Sequence, residues 1–156
     1  MSDDLRYEIK LVANEINFSV FNKWLHIETD FFKKYPDRQI NSLYFDDYNF
    51  SCVKDNLSGI AQRRKYRLRW YGSNEEELSD PIFEIKIKNG RLGSKRYFNV
   101  PELNNKLNNL KIRQIQEIAL SKNKNKKLFF DKDLNPSLIV SYTRNYFENN
   151  NDIKIT

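Results

Sequence analysis

Cysteine and histidine are almost missing from this chain of 156 residues, in which Cys52 and His26 each stand alone. One cysteine excludes an intramolecular disulfide, and one Cys with one His cannot fill a zinc site by themselves. A single histidine also argues against most Ser-His-Asp and Cys-His catalytic sets, and none is in evidence. His26 reads as an ordinary helix or loop residue and Cys52 as a partly buried thiol. Glycine and proline are scarce as well, four of each, so no linker rich in either divides the chain and each turn signal is informative. No run of 18 apolar residues occurs, which excludes a membrane-spanning helix in this chain. The opening MSDDLRYEIK is acidic and then alternates, unlike a secretory signal. The cysteine usage suits a reducing compartment, so the expected location is the cytoplasm, or the cytoplasmic face of a membrane if the full protein has spans.

What is present is charge and aromatic side chains. Charged residues make up 31% and aromatics 14%, a balance that excludes charge-driven disorder. The length predicts one domain, 1–156, with a core large enough to fold without a disulfide or metal. Lys and Arg number 27 against 21 Asp and Glu, for a net charge of +6. That excess implies an anionic partner.

Alternation and turn chemistry predict the elements. Residues 5–12 alternate as a strand. Residues 17–28 have helical spacing, with Asn17 as the cap. A strand is expected over 40–46, a short helix from Asp47 to Asn56 ending near Gly59, and a long strand over 61–71. Residues 82–88 and 94–100 form a hairpin about Asn89-Gly90. Residues 102–121 read as helix, broken near Asn108-Asn109, and KNKNKK at 122–127 as a solvated basic loop. Residues 137–148 form a strand, and a last one begins at 153. The chain stops four residues into it with neither cap nor polar tail, and so reads as ending inside a larger fold.

Side chains of a strand alternate between its two sides. In 63–71 one side carries Arg63, Lys65, Arg67, Arg69 and Tyr71; the other carries Arg64, Tyr66, Leu68 and Trp70. Glu84, Lys86 and Lys88 oppose Phe83, Ile85 and Ile87. Arg6, Glu8 and Lys10 oppose Leu5, Tyr7, Ile9 and Leu11, and Lys154 lies between Ile153 and Ile155. A solvated face would show the same alternation. Yet like charges at every second position sit about 7 Å apart, and each adjacent pair repels by about 2.4 kcal/mol at an effective dielectric of 20 before screening. If helices cover the apolar sides, the charged sides face a shared cationic lumen. Such a lumen fits a linear triphosphate or polyphosphate, because arginine forks and lysine charges both hold phosphate oxygens. The same repulsion implies that replacing Arg67 and Arg69 together by Ala weakens tripolyphosphate binding and leaves folding intact or improved. A divalent ion there would need carboxylates, for which Glu8, Glu84 and Asp46 are the candidates.

Taken in order, RYEIK at 6–10, YPDRQINSLYFDD at 35–47, DNLSG at 55–59, RRKYRLRWYG at 63–72, FEIKIKNG at 83–90, GSKRYF at 93–98 and SYTRNYF at 141–147 resemble the VTC domain. That domain is the catalytic module of polyphosphate polymerases, within the CYTH-like triphosphate tunnel metalloenzymes. The ordered set spans nearly the whole chain, and Arg-x-Arg-Trp-Tyr-Gly at its centre is its most specific part.

The resemblance implies an α+β fold: an antiparallel β-barrel, the triphosphate tunnel, with peripheral helices. It implies ATP-dependent transfer of a terminal phosphoryl group onto a growing polyphosphate chain, with Mn2+ or Mg2+. Residue by residue, Arg67 and Arg69 match the family's phosphate-binding arginine pair. Lys86 matches the lysine of its Phe-x-Glu-x-Lys strand, and Arg144 the arginine after its late Tyr-x pair. Lys10 and Lys95 match tunnel lysines, and Lys154 stands where the family usually has arginine. Lys65 and Lys88 join the set as neighbours on the same strand faces. Relatives in the wider superfamily open with Glu-x-Glu-x-Lys; Arg6 in the first position fits the polymerase branch. The family's metal-binding glutamate is expected beyond residue 156, so the tunnel of this chain is expected to lack its C-terminal strands and the chain to make little polyphosphate. Other readings are a non-catalytic sensor of triphosphate or polyphosphate on the same tunnel, and a single-stranded nucleic-acid binder. The last needs aromatics beside the cations, whereas Tyr66 and Trp70 lie opposite Arg67 and Arg69, so no nucleic-acid partner is expected. An open sheet edge invites self-association.

Overall fold

A computed structural model describes residues 9–73, 77–104, 107, 112–121 and 133–156. Residues 9–12, expected as the end of a first strand, are irregular and exposed. Alternation alone does not make a strand; a partner must supply the ladder, and this stretch pairs with no described strand. Residues 5–8, Glu8 among them, lie outside the described residues. The first helix, α1, runs Glu15–Ile27. Its cap is Asn14, whose Oδ1 accepts from the Asn17 backbone N–H at 2.8 Å, so Asn17 sits inside the first turn.

Strand β1 spans Phe32–Asp46, eight residues earlier than the alternation suggests. Its first half is exposed and contains Pro36, and a proline in a charged, polar run reads as the end of a strand. Helix α2 is Ser51–Leu57, followed by β2 Gln62–Tyr71, β3 Ile82–Asn89 and β4 Leu92–Asn99. The β3–β4 turn centres on Gly90-Arg91, since Asn89 pairs with Leu92. Gly90 has φ +60° in the first central position, where a two-residue hairpin favours glycine. A 3-10 turn at Pro101–Leu103 and helix α3, Ile112–Ser121, stand where a broken helix was expected; the expected break at Asn108-Asn109 lies outside the described residues. Strand β5 is Asn135–Glu148 and β6 is Lys154–Ile155. The basic run 122–127 lies outside the described residues.

The strands are ordered β4-β3-β2-β1-β5-β6 in one antiparallel sheet, and the fold is α+β. Two compact units share it, Gln39–Thr143 and a second made of Met1–Arg38 with Arg144–Thr156. In the first, Leu43 and Phe45 from β1, Tyr66, Leu68 and Trp70 from β2, Phe83 and Ile85 from β3, and Phe98 from β4 form one buried apolar side. Cys52 of α2, Leu103, Ile115 of α3 and Leu134 complete that core. The helices thus cover one side of β1–β4 and leave the alternate positions to the other. In the second unit, His26 meets the Phe147 ring edge-on at 5.4 Å, Tyr35 meets Tyr146 at 5.9 Å, and Leu25 is buried.

Candidate functional site

Register decides which charged groups are neighbours. Lys65 of β2 stands opposite Lys86 of β3, and Lys86 stands opposite Lys95 of β4. Three lysines therefore form a row across the sheet. One step along the strands Arg63 and Lys88 face each other. On the other side of the lysine row comes Tyr44–Arg67–Glu84–Tyr97, then Ser42–Arg69–Ile82. All these side chains share the face that the core helices leave uncovered. Directly opposed like charges destabilise a sheet: at about 5 Å and an effective dielectric of 20, each lysine pair repels by about 3 kcal/mol before screening. A bound polyanion would reverse that cost.

The two arginines differ. Arg67 Nε donates to Glu84 Oε2 at 2.9 Å, and Nη2 donates to Oε1 at 2.8 Å and to Oε2 at 2.6 Å. The Glu84 side chain is 2% exposed and that of Arg67 19%. Burial pulls the Arg67 pKa down, but hydrogen bonding and charge from Glu84, with a smaller contribution from the Tyr44 phenol, outweigh it and raise it above the usual arginine value. Arg69 reaches Glu84 only through Nη1, at 3.8 Å. Among the described residues its buried Nε has no hydrogen-bond partner, nor has Oγ of Ser42.

Two of the carboxylates considered for a metal, Asp46 and Glu84, have other partners, and Glu8 lies outside the described residues. Asp46 Oδ1 accepts from the backbone N–H of Asp47 and of Cys52, each at 2.9 Å, and Oδ2 accepts from that of Val53 at 3.0 Å. Asp46 thereby satisfies the open N–H groups at the start of α2. Asp47, expected to cap that helix, takes N–H groups from Asn49 and Ser51, and the N-cap position itself belongs to Phe50 in the left-handed region at φ 54°. Glu84 is engaged by Arg67. Among the described residues no three His, Cys, Asp or Glu side chains are grouped to hold a metal ion.

Of the residues the sequence singled out, Lys65, Arg67, Arg69, Lys86, Lys88 and Lys95 share one face in the unit 39–143, with Glu84 among them. Lys10 lies in the irregular, exposed segment before α1. Arg144, half-buried on β5, and Lys154, on β6, belong to the other unit. There Lys154 Nζ lies 3.4 Å from Glu148 Oε1, and Lys34 pairs with the second oxygen of the same buried carboxylate. Sequence reasoning missed Ser42, Tyr44 and the Lys34–Glu148–Lys154 group. The alternation Ser42, Tyr44, Asp46 against Leu43, Phe45 was visible, but only the β1–β2 register sets Ser42 beside Arg69 and Tyr44 beside Arg67.

The chain matches the VTC domain family over residues 5–156. It belongs to that family. A comparison with curated proteins returns no match. No helix among the described residues is long and apolar enough to cross a membrane.

Proposed function

We propose that the cationic face of β2–β4 binds a linear chain of phosphates, as ATP, triphosphate or polyphosphate, and serves a phosphotransferase of the polyphosphate polymerase type. The observation that carries this reading is the cross-strand row Lys65–Lys86–Lys95, with Arg63 and Lys88 in the next row on one side and Arg69 two rows away on the other, in a chain of the VTC domain family. Neighbouring strands are about 4.8 Å apart, close enough for successive phosphoryl groups of one chain to meet successive lysines. Phosphoryl transfer needs mainly positioning and charge neutralisation. The lysines supply charge, and Arg69 adds a planar donor fork.

The test is calorimetric titration of the chain with tripolyphosphate and with ATP, followed by a long-chain polyphosphate assay with ATP and manganese or magnesium. Binding with turnover supports the polymerase reading; binding without turnover favours a sensor. No binding of either anion overturns the proposal. A second reading draws on Tyr44 and Tyr97, which share the cationic face, whereas Tyr66 and Trp70 are buried in the core. Tyrosines beside cations can stack on the bases of a single-stranded nucleic acid. An oligonucleotide that micromolar tripolyphosphate cannot displace would favour it.

A further inference from the structure

Two buried polar atoms on residues paired across the β1–β2 ladder have no hydrogen-bond partner among the described residues. Ser42 is 1% exposed, and its Oγ makes no hydrogen bond. Arg69, directly across the β1–β2 ladder, has a buried Nε in the same condition. On the far side of Arg69 the ladder continues to Ile82, whose side chain has no polar atom. An unpartnered buried donor is costly and uncommon in a native protein, and here two meet in one register row.

We infer that Ser42 Oγ–H and Arg69 Nε–H form a donor pair for a single oxygen of a bound phosphoryl group, with Ser42 as a positioning residue for that anion. The inference rests on the anion-binding reading above and adds a residue and a division of labour to it. An Nε–H can only donate. A serine hydroxyl can donate or accept, and beside a guanidinium its favourable role is to donate toward the same acceptor. What the pair lacks is therefore an oxygen that accepts twice. An anionic phosphoryl oxygen does so without bringing protons of its own, whereas a water molecule would add two that need acceptors. Arg67 does not share this role. Glu84 receives three guanidinium bonds from it, which fixes Arg67 as the counter-ion of a buried carboxylate. The Ser42–Arg69 row thus sets a fixed anchor for one end of the anion, two rows along the strands from the lysine row, with the Arg67–Glu84 pair between them.

The experiment compares wild type with Ser42→Ala, Ser42→Thr, Arg69→Lys and the Ser42→Ala/Arg69→Lys pair, in the full chain, with tripolyphosphate as the probe. Ser42→Ala should weaken binding about tenfold, as expected for one charge-assisted hydrogen bond. Without the anion it should melt no lower than wild type, and up to about 2–4 °C higher, because an unsatisfied buried hydroxyl is gone. Ser42→Thr, which restores the hydroxyl on a residue that strands accept, should bind within about threefold of wild type. Arg69→Lys keeps the charge and loses Nε–H, and the double variant should lose clearly less than the product of the single losses, because the two donors share one oxygen. Affinity of Ser42→Ala within twofold of wild type overturns the inference alone. So does a lower melting point for that variant, which would reveal a protein partner for the hydroxyl. Multiplicative losses contradict the shared oxygen. Wild type that binds no tripolyphosphate overturns the anion-binding reading, and the inference with it.

Discussion

Arg67 and Arg69 lie two residues apart on one strand, carry the same charge and point the same way, yet they are different groups. Arg67 neutralises Glu84, a carboxylate only 2% exposed; Arg69 keeps an unpartnered donor. Removing one member of a buried pair strands the other charge. Glu84→Gln should therefore cost about 2–4 kcal/mol in urea denaturation. Replacing Arg67 and Arg69 by Ala should destabilise the chain to a similar degree, against the expectation from repulsion alone, because Glu84 loses its counter-ion. Arg69→Ala by itself should lower tripolyphosphate affinity with little change in stability. The pairing Arg67–Glu84 could not be read from sequence, because alternation shows which residues share a face but not which residue of the next strand stands opposite. Asp37 is a smaller case. Hydrogen bonds first from Lys33 and then from Asn145 hold its carboxyl below the usual 3.8. A depressed folded pKa means the contribution is complete above the unfolded value and is lost as pH falls through the folded one. Asp37→Asn should slightly lower stability at neutral pH, where the contribution is complete, and converge on wild type as pH falls below about 4, which flattens the stability curve there.

At the scale of elements, the strands that were legible in advance were those with one buried side. In β2, Tyr66, Leu68 and Trp70 are buried and Lys65, Arg67 and Arg69 are not, and the spacing already says so. In β3 the apolar side is Phe83 and Ile85, but Glu84 on the charged side is buried too, which the spacing does not say; the hairpin was legible apart from its turn, which is one residue further on. The first half of β1 has no such contrast and contains Pro36, so nothing local marked it as strand. Residues 9–12 show the converse, an alternation without a ladder. Helix α2 was visible as a short helix, but its anchoring was not, since Asp46 looked like a free carboxylate at the end of a strand. Asp46→Ala removes an acceptor of three backbone N–H groups. It should cost about 1–3 kcal/mol and speed amide exchange across Ser51–Leu57, with tripolyphosphate affinity unchanged. Intact stability together with loss of metal-dependent binding would instead restore Asp46 as a metal ligand. In the hairpin, Gly90→Ala at φ +60° should cost about 1 kcal/mol in the same denaturation assay, because the added Cβ disfavours the left-handed region.

For the molecule as a whole, a net charge of +6 does not specify a site; any cationic surface attracts a polyphosphate weakly. The account claims more: that cations placed in one cross-strand row bind the anion together. The most direct measurement separates position from charge. Lys65→Ala/Lys86→Ala removes two charges from the row. Lys54→Ala/Arg113→Ala removes two from exposed positions on α2 and α3, the helices that contribute Cys52 and Ile115 to the core on the opposite side. Titrated with tripolyphosphate at fixed ionic strength, the row variant should lose at least about a hundredfold in affinity, at about 1.5 kcal/mol or more per charged contact. The helix variant should stay within about threefold of wild type. Equal losses in the two variants would mean that the anion responds to net charge alone and would contradict the claim.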